Sequence, residues 1–278
     1  PAFKGRVRVV YQNKTPTGAY RAVGQPIGCV VIEQLLDIAA AELDLDPVDI
    51  RRRDNLGAED LPIKAAGGLE IDNISLDACL TTILAKMDYE KLRQDQVEAR
   101  QQGIYRGIGL ATFVEQTAVG AGLYGPAGTR VSAQEGCALR LDPSGVIRGS
   151  TSVTDQGQGT LTGIQQVIAE TLGVRFDAVY TESGDGGTTP YGGGSWASRG
   201  LAIGGEAARL ASLDLRKKIL GVAAAISQVS PEKLSMVAGE IFKDGKSLMD
   251  LAELAQIVHF RQYTRSEERR VGKECRSR

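Results

Sequence analysis

Val146-Ile-Arg-Gly-Ser-Thr-Ser-Val153, Thr154-Asp-Gln-Gly-Gln-Gly-Thr160 and Leu161-Thr-Gly-Ile-Gln-Gln-Val-Ile-Ala-Glu-Thr-Leu172 run on from one another, and the fold turns on them. The first piece is rich in β-branched residues and predicts a strand. The last places Leu161, Ile164, Ile168 and Leu172 at helical spacing, so a helix is expected over Leu161 to Leu172. Upstream, Asp142-Pro-Ser-Gly145 is hairpin chemistry, leading back to a second strand over Cys137 to Leu141. A further strand is expected over Ile108 to Glu115, and a long helix of small residues over Arg199 to Ile226. The fold class that follows is α+β, an elongated mixed sheet with helices.

Before residue 103 the pattern is mostly helical. Ile32, Leu35, Leu36, Ala39 and Leu43 predict a helix over Pro26 to Leu43. Asp46-Pro47 reads as an N-cap with proline in the first turn, opening a short basic helix to Arg53. Ser75 to Met87 is expected to be helical through Leu76, Cys79, Leu80 and Ile83, and the charged Tyr89 to Gln102 to form a surface helix. Two domains are therefore expected, 1–102 and 103–264. Residues 265–278 hold nine charged residues without periodicity and are expected to be a solvated, non-native tail.

Composition narrows the function. The chain has 278 residues, with 33 Lys+Arg against 34 Asp+Glu, a formal charge of -1. Nucleic-acid binding needs a concentrated basic face, which this balance does not supply. The longest nearly unbroken apolar run, Ile219 to Ile226, is far short of the roughly 20 residues that span a bilayer. Pro1 to Tyr20 has no apolar stretch of the kind a secretory leader needs, so a cytoplasmic protein is expected. His259 is the only histidine, so a Ser-His-Asp triad would have to run through it and a His-rich zinc site cannot form. Cys29, Cys79, Cys137 and Cys275 lie far apart; iron–sulfur and structural zinc ligation need closer thiolates, and free buried thiols are expected.

Three segments could carry chemistry. In Thr17-Gly-Ala19-Tyr20-Arg21-Ala-Val23-Gly-Gln-Pro26 an aromatic–arginine pair leads into a helix, placing a guanidinium against an anion or merely on a surface turn. In Thr154 to Thr160, Gly157 and Gly159 allow close backbone approach and Gln158 offers a donor and acceptors. Thr160 is expected to cap the next helix and leave its free amides outward as an anion site; a plain glycine turn is the alternative. In Gly184 to Arg199, glycine is so dense that an ordered ligand loop is the better account. Ser195, Ser198 and Arg199 there stand before a long helix, as a phosphate would require. Gly120-Ala-Gly-Leu-Tyr-Gly125 matches the dinucleotide fingerprint GxGxxG, but Pro126 and Gly128 follow where a helix would have to start. A nicotinamide-dependent dehydrogenase is set aside on that ground.

Together these segments resemble the large, molybdenum-binding subunit of the molybdenum hydroxylases, which include xanthine dehydrogenases, aldehyde oxidases and carbon monoxide dehydrogenase-type enzymes. The resemblance rests on Gly18-Ala-Tyr-Arg21, Asp46-Pro-Val-Asp-Ile-Arg-Arg-Arg53 and Gly107-Ile-Gly-Leu-Ala111. It continues through Gly157-Gln-Gly-Thr160, Ala169-Glu-Thr-Leu-Gly173 and Gly194-Ser-Trp-Ala-Ser-Arg199. It implies a molybdopterin cofactor, in its cytosine dinucleotide form, held between two elongated α+β domains: the end of the first, then most of the second. Ala19, Tyr20 and Arg21 would lie at the metal end of the pterin. Gly157, Gln158, Gly159 and Thr160 would lie near the metal's ligands. Ser195, Ala197, Ser198 and Arg199 would hold the pterin or its phosphates. No side chain would ligate the metal directly.

The implied reaction is hydroxylation of an aldehyde or heteroaromatic carbon with oxygen from water. Electrons would pass to a 2Fe-2S small subunit and an FAD-binding medium subunit, in a dimer of heterotrimers. Ala22 stands where copper-containing members have a cysteine, and Val23 where purine-oxidising members have a stacking phenylalanine; Val23 and Phe113 are the substrate-pocket candidates. The family's general-base glutamate would lie beyond residue 278. The chain is thus expected to be an internal fragment, inactive by itself, and no catalytic residue is assigned. The alternative is a non-catalytic cofactor-binding or assembly module that lacks the base.

Overall fold

The computed structural model describes residues 6, 8–16, 18, 20–65, 70–115, 117, 118, 120 and 132–260. They fall into two units, residues 1–115 and 116–278. The expected tail, most of the Gly120 cluster, Cys275 and Ala19 lie outside the described residues.

In the first unit, α1 (Gln25–Glu42) and α2 (Pro47–Asp54) are followed by a short ladder, β1 (Ile63–Lys64) against β2 (Glu70–Ile71). Then come α3 (Leu76–Met87) and α4 (Tyr89–Gln101). Asp46 caps α2 as its sequence predicts, accepting from Val48 N at 2.8 Å. The same carboxylate accepts from the Tyr89 hydroxyl at 2.9 Å, which ties the start of α4 to the start of α2. Burial, and then the bond to Asp46, push the Tyr89 phenol up to about 12. Val48, Leu80 and Tyr89 form the small core, with Leu84, Met87, Ile108 and Leu110 packed against it.

Arg51 holds this unit together from inside α2. Its side chain has no exposed surface, and its Nε donates to Glu33 Oε2 at 2.7 Å. Nη2 lies 2.9 Å from Asp37 Oδ1 and donates to the Leu110 carbonyl at 3.0 Å, while Nη1 donates to Pro47 O at 2.8 Å. One guanidinium therefore joins α1, α2 and the extended segment after α4. That segment, Ile108 to Glu115, is not the strand its composition suggests. Among the described residues it pairs with no strand, and it is anchored instead by Arg51 and by Thr112 Oγ1 donating to Asn55 Oδ1 at 3.1 Å.

The second unit is built on the strand–turn–helix passage. β3 (Cys137–Leu141) and β4 (Ile147–Thr151) form the expected hairpin, with Gly145 N donating to Asp142 O at 2.9 Å in its turn. β4 also pairs in parallel with β5 (Val179–Ser183), reached through α5 (Thr160–Leu172). On α5, Ile164, Ile168 and Leu172 have no exposed surface, each worth about 1.5–3 kcal/mol of burial. α6 (Gly200–Ser227) lays Gly204, Gly205, Ala208 and Ser212 inward, and Gly205 approaches Val167 of α5. Arg216 of α6 donates to the Leu172 carbonyl at the end of α5, a cation where the helix dipole favours one.

A second sheet, unforeseen from the sequence, is the meander β6 (Leu234–Val237), β7 (Glu240–Lys243) and β8 (Lys246–Asp250), followed by α7 (Leu251–Phe260). Cys137 is half-buried, and burial pushes its thiol up to about 12. Cys79 is exposed rather than buried. No described helix is long and apolar enough to cross a membrane.

Replacing Arg51 by Ala strands the Glu33 carboxylate inside the first unit. The expected loss, read by chemical denaturation, is about 3–5 kcal/mol, the cost of breaking a buried pair from one side.

Candidate functional site

The glycine-rich loops of the second unit are stitched together by hydrogen bonds. Gln156 Nε2 donates to Ser195 O at 3.1 Å, and the Ser195 hydroxyl donates to Thr154 O. The loop after β4 and the loop before α6 are thus one structure, although about 40 residues separate them in sequence.

Within the first loop, Gln158 is exposed and its orientation is fixed. The Gln156 amide donates to Gln158 Oε1 at 2.7 Å. A backbone N–H can only donate, so the oxygen end of the Gln158 amide must face inward and its NH₂ end outward. Gly159, not Thr160, is the cap residue of α5, with φ 77 and no side-chain cap bond. Thr160 is the first helical residue and is buried. Nor are the helix-head amides all left free, as the sequence suggested. Asp155 takes one of them, accepting from Leu161 N at 3.2 Å, and also accepts from the loop amide Gly157 N at 2.8 Å. The Gly157 and Leu161 N–H groups hold the Asp155 carboxyl below the usual carboxylate range. Asp155 is exposed and reads from sequence as an ordinary loop polar residue.

The second loop closes on Arg199. This guanidinium and the Glu135 carboxylate form an ion pair with no exposed side-chain surface on either partner. Arg199 Nη1 is the nitrogen used, and it also donates to Gly194 O at 3.1 Å. Nε and Nη2 have no partner among the described residues. The guanidinium stands 5.0 Å from the centre of the Trp196 ring, whose Nε1 donates to Gly193 O at 3.0 Å. On the far side, Ser152 Oγ donates to Glu135 Oε2 and accepts from Gly136 N at 2.8 Å. Gly192 is required here, because a Cβ on it would run into Ser152 and Glu135. Ala197 and Ser198 take left-handed φ of 49 and 56, a conformation that costs a non-glycine residue energy and recurs at ligand loops.

In the first unit, Tyr20, Arg21 and Val23 are exposed, in a turn closed by Val23 N donating to Tyr20 O at 2.7 Å. Ala22 and Val23 repeat the left-handed pair of the other loop, with φ of 63 and 56, and again a helix begins two residues later. Phe113 is exposed and lines a cavity of about 460 Å³ with Leu76, Cys79, Leu80, Ile83 and Leu110. Glu135, Ser152 and Asp155 were missed from the sequence. Their roles come from contacts that no local motif announces, although the position of Asp155 three residues before Gln158 is a usable Asx-turn signal.

Models of the molybdopterin cofactor-binding domain match residues 1–55 and 82–275. The nicotine 6-hydroxylase large subunit of Paenarthrobacter nicotinovorans is 28% identical over 89% of this chain and 30% of its own length. The carbon monoxide dehydrogenase large chain of Hydrogenophaga pseudoflava is 32% identical over 82% of this chain and 29% of its own. Among solved structures, quinoline 2-oxidoreductase from Pseudomonas putida 86 superposes with a TM-score of 0.80 at 31% identity, covering 92% of this chain and 33% of that one. The chain therefore spans about a third of the length of the relatives it matches. On the match across most of its length, the chain belongs to the molybdopterin cofactor-binding domains of the molybdenum hydroxylases.

Proposed function

We propose that the chain is the cofactor-holding part of an oxidoreductase that hydroxylates a heteroaromatic or aldehyde carbon with oxygen from water. The observation that carries this reading is Gln158, whose amide is locked by Gln156 N so that a donor faces out of an exposed glycine loop. Such a donor suits an oxygen ligand on a metal, and an acceptor-only side chain would not.

The residues present fit a molybdopterin. Arg199 has Nε and Nη2 without a partner among the described residues; its side chain is fully buried, so a phosphate meets this fork only when the loop around it parts. Positions 157, 159 and 194 leave open space over their backbone, so a flat ring system can come close. When bound, the cofactor supplies the redox chemistry, and the protein supplies binding and orientation. In this assignment Gln158 donates near the metal end, the loop of Ser195, Ala197, Ser198 and Arg199 takes the phosphates, with the Ser195 hydroxyl bracing that loop on Thr154 O, and Gly157, Gly159 and Thr160 set the first loop. Ala19, Tyr20 and Arg21 are assigned to the metal end of the pterin. The cytosine dinucleotide form is carried over from the family resemblance. Val23 and Phe113 are assigned to the substrate side.

The heteroaromatic reading is supported by relatives named for nicotine and quinoline. Ala22 offers no thiol for a copper ion, which argues against carbon monoxide as substrate. Relatives named as large subunits or chains support partner subunits; on the family resemblance we assign these as a 2Fe-2S small subunit and an FAD-binding medium one, in a cytoplasmic dimer of heterotrimers.

Three variants of the complete enzyme test this assignment. Gln158→Ala is expected to lower kcat roughly a hundredfold while molybdenum content is retained. Gln158→Glu should be no better, because a carboxylate cannot donate; unchanged turnover in both would sink the role. Arg199→Lys keeps a charge for Glu135 and loses the fork. Nucleotide released on denaturation should then fall about tenfold or more per mole of protein.

A further inference from the structure

Asp155 is the group on which the Gln158 loop hangs. Its two carboxylate oxygens accept from amides on either side of Gln158: Oδ1 from Gly157 N at 2.8 Å and Oδ2 from Leu161 N at 3.2 Å. Leu161 N is one of the amides at the head of α5 that the helix cannot pair itself, and the helix dipole makes that end positive. Gly157 and Gly159 have φ of 97 and 77, and a Cβ at either position would meet nothing within 4 Å. The other ties of this loop begin one residue away, at Gln156, whose amide and side chain reach Gln158 and Ser195.

We propose that Asp155 is a positioning residue for Gln158: its carboxylate fills the amide cluster at the head of α5 in place of a bound anion and fixes the backbone on both sides of Gln158. The proposal rests on the reading of Gln158 given above. It also assigns the phosphates of the cofactor to the Arg199 loop, since the head of α5 is already satisfied by a charge of the same sign.

A carboxylate that stands in for an anion can be replaced by one, and formate has the right size once Asp155 is cut back to Ala. In the complete enzyme, Asp155→Ala is expected to lose kcat about tenfold or more, with KM and molybdenum content little changed. Formate should restore most of that loss saturably. It should also raise the melting temperature of the variant but not of the wild type, because it binds only where the cluster is empty. Asp155→Asn, which keeps one acceptor for Gly157 N, should fall between the two. Wild-type turnover in Asp155→Ala overturns the proposal, as does a loss that formate leaves untouched with no rise in melting temperature. Gln158→Ala measured alongside separates the two ideas. If it turns over normally, the reading of Gln158 fails. The formate-dependent melting shift of Asp155→Ala then still decides whether the carboxylate fills the cluster.

Discussion

A guanidinium can be taken out of water only if the fold brings it partners, and both units of this chain are organised around that requirement. Arg51 and Arg199 have no exposed side-chain surface. Arg51 spends its nitrogens on the Glu33 and Asp37 carboxylates and on three carbonyls, which fixes how α1, α2 and the segment through Leu110 meet. Arg199 spends one nitrogen on Glu135 and Gly194, and its other two have no partner among the described residues. The first arrangement is saturated, as a structural site should be. The second is incomplete, and incompleteness in a buried cation points to something the chain is built to receive.

The helices were legible because their signals are local. Asp46-Pro47 marks the start of α2, and the spacing of Ile164, Ile168 and Leu172 marks α5; both begin and end within a residue or so of expectation. The sheet was less legible. Ile108 to Glu115 has strand-like composition, but composition measures fitness for extended, half-buried chain and not whether a partner strand exists. The meander over residues 234–250 was overlooked despite turn pairs at Ala238-Gly239 and Asp244-Gly245, all four with positive φ. β5 pairs with β4 across a helix, and such a parallel pairing leaves no hairpin signal.

The same division holds for the candidate site. Glycine clusters announced where loops would approach a ligand, and Gln158 stood out between two of them. What could not be read was which polar groups would be consumed internally. Thr160 looked like a cap, yet Gly159 takes that position because its backbone can turn left-handed, and Asp155 takes the amides. Ser195 looked like a phosphate ligand, and its hydroxyl is committed to Thr154. Glu135 lies 64 residues from the arginine it neutralises, a distance at which no motif speaks.

That neutralising pair has a consequence for how the loop behaves in different media. Mobile ions weaken attraction between charges they can surround, and at physiological strength that screening acts over about 8 Å of solvent. Arg175 and Asp177, both largely exposed, will feel it fully. Glu135 and Arg199 have no exposed side-chain surface, so their attraction is little screened and the frame of the Arg199 loop should keep its shape in brine as in dilute buffer.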